Sequence, residues 1–212
     1  QVADLSDLDT IEEYTDQMLS QMQDEGGIYG VPTIVSAFGL YCNLDLLKEH
    51  KQEVPRNLEE WKEVCEYFKK EGITPIIANN DISLKTLAIG RGFFSVYQQE
   101  RQEEVFARLN SGEENISQYL EPGFALVQEL IDEEYIDAEK TLDTMKTSDD
   151  LEEFAKGTSP FMLTGAWAAG RMEGMESDFA FEVDPIPALE DGGFLVINAD
   201  VRLSVNADSK HM

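Results

Sequence analysis

Residues 161–175 read FMLTGAWAAGRMEGM. The apolar run Phe161-Met162-Leu163 reaches Thr164-Gly165 and passes at once to Trp167, which has Gly165, Ala166, Ala168, Ala169 and Gly170 around it. This spacing predicts a strand over 160–163 turning into a helix that carries Trp167, and the small neighbours predict an accessible ring. Working backwards, Ser148 is placed to cap a short acidic helix with Leu151 and Phe154 inward and Gly157 at its end. Working forwards, FAFEVDPIP (179–187) alternates Phe179, Phe181 and Val183 with the period of a half-buried strand. Asp191-Gly192-Gly193 is a turn, and FLVINA (194–199) and VRLSVNA (201–207) read as two further strands.

The same alternation extends toward the N-terminus. Ile11, Tyr14, Met18 and Met22 lie at helical spacing over 9–25, and Gly26-Gly27 ends that pattern. Residues 28–43, IYGVPTIVSAFGLYCN, read as two short extended runs broken by Pro32. Asn57 caps a helix with Glu60 three residues on; Leu58, Trp61, Cys65 and Phe68 form its apolar stripe and Gly72 its stop. TPIIA (74–78) reads as a buried strand, followed by a Leu- and Ala-rich helix at 84–90, a mixed stretch to about 112 and a helix from Gly123 to Tyr135. Strands alternating with helices predict an α/β architecture.

The chain has 212 residues, 16 Lys and Arg against 43 Asp and Glu, and a net charge of −27. Such a charge repels phosphate backbones and anionic membrane surfaces, so nucleic acid is excluded as a partner; the acidity reads either as a solvated surface or as an acidic docking face. No apolar run approaches the roughly 18 residues that cross a bilayer. Gln1 opens the chain with no basic or apolar leader, and NADSKHM (206–212) reads as a strand leaving into the start of a helix, so the chain is expected to be incomplete at both ends. Cys42 and Cys65 are expected to be free and buried. His50 and His211 are the two histidines, which leaves no Ser-His-Asp set and no metal-ligand cluster. Neither a phosphate-binding loop nor a dinucleotide fingerprint occurs, so no cofactor is expected.

The segments GGIYGVP (26–32), GLYCNLDLLKEH (39–50), VPRNLEEWKEVCEYFKKEGITPI (54–76), EEFAKGTSPFMLTGAWAAG (152–170), VDPIPALEDGG (183–193) and NADSKHM resemble, in this order, the extracellular solute-binding proteins of carbohydrate ABC transporters, the family that includes the maltose-binding protein. Cys42 stands where the family usually has the tyrosine of "YN", and NLEEW replaces a more usual "TW-E". The resemblance implies a two-lobe periplasmic-binding-protein-like fold with a sugar cleft between α/β lobes. It implies residues 1–35 as a remnant of the first lobe with a crossing segment, 36–185 as the second lobe and 186–212 as return strands into the first. The implied function is capture of a sugar or oligosaccharide by cleft closure and delivery to the membrane permease subunits, without chemistry on the sugar. The implied location is extracellular, as a cell-envelope lipoprotein or a periplasmic protein. The first-lobe remnants are expected to pack poorly or to pair with another copy of the chain.

Trp167 is then a platform for the C–H face of a pyranose, the alternative being a core tryptophan under a helix. Trp61, inside its stripe, reads as core. Asn79, Asn80 and Asp81 follow a buried strand, where ligand crevices of α/β proteins lie; Asp81 is either a sugar contact or the cap of the next helix. Ser36 falls on the segment where the family's first crossing strand passes the cleft. Arg171 reaches either a hydroxyl or Glu173 and Glu176, and Arg202 either the cleft or a cross-sheet partner. Phe93, Phe94 and Tyr97 read as core. The rival reading is a glycoside hydrolase with an Asp/Glu acid–base pair, a signal any acidic chain supplies; a third is an interaction module with an acidic face.

Overall fold

The structure, a computed structural model, describes residues 2–144, 149–175 and 177–210. The chain divides into two compact units, Gln1–Ala37 with Ile197–Met212, and Phe38–Val196.

In the first unit a 3₁₀ turn at Asp9–Glu13 precedes helix α1 (Asp16–Leu19) and a hairpin of β1 (Gln23–Asp24) and β2 (Gly27–Ile28). The hairpin turns on Glu25 and Gly26, both at positive φ (47° and 87°), which matches the twist of a two-residue β-hairpin. The single helix expected over 9–25 is therefore two short pieces and a strand. Tyr14 and Thr15 are extended, and this break lets Ile11, Leu19 and Met22 join Ala3, Leu5, Ile28 and Ala199 in one small core. Strand β3 (Val31–Asn43) begins in this unit. It is one continuous strand where two were expected, because Pro32 is its second residue, near the start of a strand, where a missing N–H disturbs the ladder least.

In the second unit β3 leads into α2 (Leu44–Glu49), capped by Asn43, and then α3 (Leu58–Lys70). The cap of α3 is the expected one: Asn57 Oδ1 accepts the Glu60 N–H at 2.9 Å, and Glu60 reaches back to the Arg56 N–H at 2.8 Å. Gly72, at φ 76°, follows its end. Next come β4 (Ile76–Ile77), a wide helical turn at Asn80–Leu84, α4 (Lys85–Gln98), α5 (Gln102–Ser111), α6 (Ser117–Asp132), α7 (Ala138–Asp143) and α8 (Asp149–Phe154). Strand β5 (Phe161–Gly165), a 3₁₀ turn at Ala166–Ala168, α9 (Ala169–Glu173) and β6 (Phe181–Asp184) follow, and β7 (Val196–Leu203), which belongs to the first unit from Ile197 onward, completes the order. The expected cap Ser148 lies outside the described residues. The two strands expected over 194–207 are one, β7, while Phe194 forms an isolated bridge with Ile186.

The sheet runs β4-β5-β3-β6, with β7 also paired to β3. Strands β4 and β5 are parallel, and β3 is antiparallel to both β5 and β6. Its two faces are buried in different cores: Leu40, Cys42, Phe161 and Leu163 pack with Trp61, Cys65, Phe68, Leu126 and Leu130 on one side, and Tyr41 and Met162 pack with Leu151, Phe154, Ala168 and Met172 on the other. Burial on both faces is why FMLTG is apolar without alternation. Residues 186–196 pack in this unit, with Ile186, Ala188 and Phe194 in the larger core. Helices α4 and α6 approach so closely that a Cβ on Gly123 would lie 1.8 Å from the Ala88 carbonyl oxygen. Both cysteines are free and buried, and burial pushes both thiols well up from the ordinary range. Phe93 is buried and Phe94 packs on the core, but Tyr97 is exposed.

Candidate functional site

Two loops leave the same end of the sheet in the second unit. Strands β4 and β5 are parallel neighbours, with Ile76 opposite Phe161 and Ile77 opposite Met162, so both chains leave toward the same end of the sheet, β4 ending opposite Met162 and β5 running on to Gly165. The C-terminal ends of parallel strands are where α/β folds leave a crevice. Trp167 stands on the second loop. The 3₁₀ turn folds its six-membered ring against Gly165, where an added Cβ would lie 1.9 Å from Cζ3, so only glycine leaves room for the ring. Trp167 is 43% exposed, whereas Trp61 is completely buried. A half-embedded indole is both fixed and accessible, which suits stacking on an apolar face.

The first loop carries Asn79, Asn80 and Asp81. Asn79 is fully buried and caps the wide turn: its Oδ1 accepts the N–H groups of Ile82 (2.6 Å) and Ser83 (3.2 Å), and its Nδ2 donates to Asp150 Oδ2 (2.7 Å). With its amide engaged at both ends, the Asn79 side chain is an internal cap and not a surface contact. Asn80 and Asp81 are exposed beyond it. Asp81 is not the cap; it pairs with Lys85 one turn on, at 3.3 Å. The backbone N–H of Asn79 donates to Ser83 Oγ at 3.1 Å, and that hydroxyl donates to the Leu163 carbonyl of β5. This bond ties the Asn80–Asp81 turn to the strand that ends beside Trp167.

Tyr41 supports the same end from below: its hydroxyl, buried on β3, donates to the Gly165 carbonyl at 2.9 Å. Burial, with a smaller contribution from the Asp150 charge, lifts that phenol well above its ordinary range and keeps it a donor. Asp150 itself is 1% exposed, and desolvation raises its carboxyl although the Asn79 amide and the Leu151 N–H pull the other way. Tyr41, Ser83 and Asp150 were not among the residues singled out from sequence. Ser83 had a faint signal, four residues after a capping asparagine; nothing local marked Tyr41 or Asp150.

Arg171 is exposed on α9; its expected alternative partner Glu176 lies outside the described residues. Ser36 and Arg202 belong to the first unit. Ser36 is buried on β3, and Arg202 is exposed with its Nε donating to the Ala199 carbonyl of its own strand at 2.9 Å. Among the described residues no grouping of His, Cys, Asp and Glu is placed to hold a metal ion, and no helix is long and apolar enough to cross a membrane.

Residues 1–211 match the family described as bacterial extracellular solute-binding protein. The chain belongs to that family. As a solute-binding protein it shares its fold with a family 1 extracellular solute-binding protein from Bifidobacterium longum subsp. infantis, at a TM-score of 0.78 and 21% identity, over 99% of this chain and 54% of the other. RafE from Streptococcus pneumoniae follows at a TM-score of 0.75, 20% identity and the same coverage, 99% of this chain and 54% of that one. A sugar transporter from Bacillus licheniformis, solved in complex with stachyose, matches at 0.71 and 23% identity, over 99% of this chain and 56% of its own. This solute-binding chain thus spans about half the length of the structures it matches, and the likeness shows the two-lobe α/β fold expected from the sequence. No curated protein matches it by sequence. The family and its structural neighbours lend no support to the glycoside hydrolase alternative.

Proposed function

We propose that the chain is part of the carbohydrate-binding component of an ABC importer, which captures a sugar or oligosaccharide without turning it over and delivers it to membrane permease subunits. The observation that carries this reading is Trp167, half exposed over Gly165 where β5 ends, with Asn80 and Asp81 exposed on the turn that follows the neighbouring parallel strand β4. An aromatic face for C–H groups next to amide and carboxylate groups for hydroxyls is the pairing a pyranose needs. Support also comes from the neighbours: RafE has been solved with raffinose, and the Bacillus licheniformis protein with stachyose. In this reading Asn80, Asp81 and Arg171 contact the sugar from the second unit, Asn79 shapes the turn beneath them, and Ser36 and Arg202 contribute from the first. Capture by closure of two lobes belongs to the same proposal, as does residence outside the cytoplasm, as a lipid-anchored or periplasmic protein. Pairing with another copy of the chain is supported by the exposed Ile34, Val35, Val201 and Leu203 along β3 and β7.

The test is calorimetric titration with raffinose, stachyose and galactose, with reducing-sugar release assayed on the same samples. Saturable binding without release is expected. Sustained release of sugar, or binding to none of the three together with no fluorescence response of Trp167, refutes the reading.

A further inference from the structure

The two ends of the buried Asn79 amide do different things, and one partner tells them apart. Its Oδ1 receives two N–H groups of the wide turn, and its Nδ2 donates to Asp150, 71 residues away in sequence. Rotating an amide by half a turn hardly changes its shape. A carboxylate only accepts, however, so Asp150 admits Nδ2 and repels Oδ1. Flipped, Asn79 would set its own N–H groups against those of Ile82 and Ser83 and its oxygen against a carboxylate, leaving buried polar groups unmatched on both sides. The carboxylate is itself fixed, since Asp150 Oδ1 accepts the Leu151 N–H at 2.9 Å.

We infer that Asp150 is a positioning residue for the Trp167 end of the sheet, acting through Asn79 to hold the turn that presents Asn80 and Asp81. The path continues: the capped turn places Ser83, and Ser83 holds the Leu163 carbonyl on the strand that leads to Gly165 and Trp167. The consequence for ligand affinity rests on the sugar-binding reading above; the consequence for the turn rests on the hydrogen bonds alone.

Four variants of the full chain test this: Asp150→Ala, Asp150→Asn, Asn79→Asp and the exchange Asn79→Asp with Asp150→Asn. The first removes the acceptor, the second makes either amide orientation possible, and the third sets two carboxylates face to face. The exchange restores an acceptor toward the turn and a donor toward its partner. The readouts are amide hydrogen exchange at Ile82 and Ser83, with the interior of α3 as internal reference, and titration with stachyose. Asp150→Ala and Asn79→Asp should speed exchange at Ile82 and Ser83 by about tenfold or more, as expected for loss of a buried charge-assisted hydrogen bond, and weaken stachyose by a similar factor. Asp150→Asn should fall between these and the parent, and it stands in for Asp150→Ala if that chain does not fold. The exchanged pair should return both readouts to within about twofold of the parent. Unchanged protection at Ile82 and Ser83 in the single variants, or an exchanged pair no better than they are, overturns the proposal. Restored protection with stachyose affinity equal in every variant overturns its functional part. A parent that binds no stachyose counts against the sugar reading, and the exchange data still decide whether Asp150 orients Asn79.

Discussion

Replacing Trp167 with alanine separates the stacking role from the packing role, because the structure sets a size for each. A tryptophan offers up to roughly 250 Å², and at 43% exposure about 110 Å² of this one remains open to a ligand. A sugar covering half to all of that area, at about 25 cal/mol per Å², gives about 1.4–2.7 kcal/mol, or a loss of roughly ten- to a hundredfold in affinity. The remaining surface of the ring packs at home, against Gly165 among other groups, so the substitution also costs stability, by about 1–3 kcal/mol. Trp167 is absent from the larger core around Trp61 and Phe68, so the variant should stay folded at 25 °C. The assay is titration with raffinose and stachyose below the melting transition, with circular dichroism confirming the folded state. Fluorescence adds a second check, since Trp61 is completely buried and a sugar-dependent shift in emission should vanish with Trp167. If affinity is unchanged in a folded Trp167→Ala chain, the exposed indole is not the platform and the reasoning from its exposure is refuted.

Gly123→Ala should lower stability to urea by about 1–3 kcal/mol or more, since the new methyl group would overlap the Ala88 carbonyl where α4 and α6 cross; a midpoint like the parent's would show that the helices are not held that close. Cys42 and Cys65 should not react with a thiol reagent in the native chain and should give two thiols per chain in denaturant without reductant, because burial holds both protonated; a disulfide detected by mass would contradict their placement. Burial raises the Asp150 carboxyl, so the folded chain holds that proton to higher pH than the unfolded one. Its contribution to stability therefore falls as pH rises above the ordinary carboxylate range. Asp150→Asn should remove this slope, which urea midpoints measured between about pH 4 and pH 7 would reveal as a parent-minus-variant difference that grows toward acid; a difference independent of pH would show that the group titrates normally.

Much of the fold was legible because its signals are local. The capping box at Asn57, the stripe Leu58-Trp61-Cys65-Phe68 and the strand–turn–helix around Trp167 each depend on residues within a few positions of one another. So does the exposure of Trp167, which follows from its small neighbours. The errors fell where local pattern was ambiguous: the helical spacing of Ile11, Tyr14, Met18 and Met22 gave way to a small core with its own geometry, and Pro32 proved to open a long strand instead of breaking one.

The sequence by itself determined the α/β alternation, the free buried thiols and an accessible tryptophan at a strand end, because backbone propensity and side-chain period act over one or two turns of chain. The tertiary structure alone decided that Asn79 turns inward while Asn80 and Asp81 stay outside, that Ser83 holds β5, and that Tyr41 supports Gly165. Those outcomes depend on which polar groups share a buried space. Asp150 and Asn79 are 71 residues apart, and Tyr41 and Gly165 are 124 apart. A buried donor must find an acceptor wherever the packed sheet and helices place one, and no spacing along the chain states where that will be.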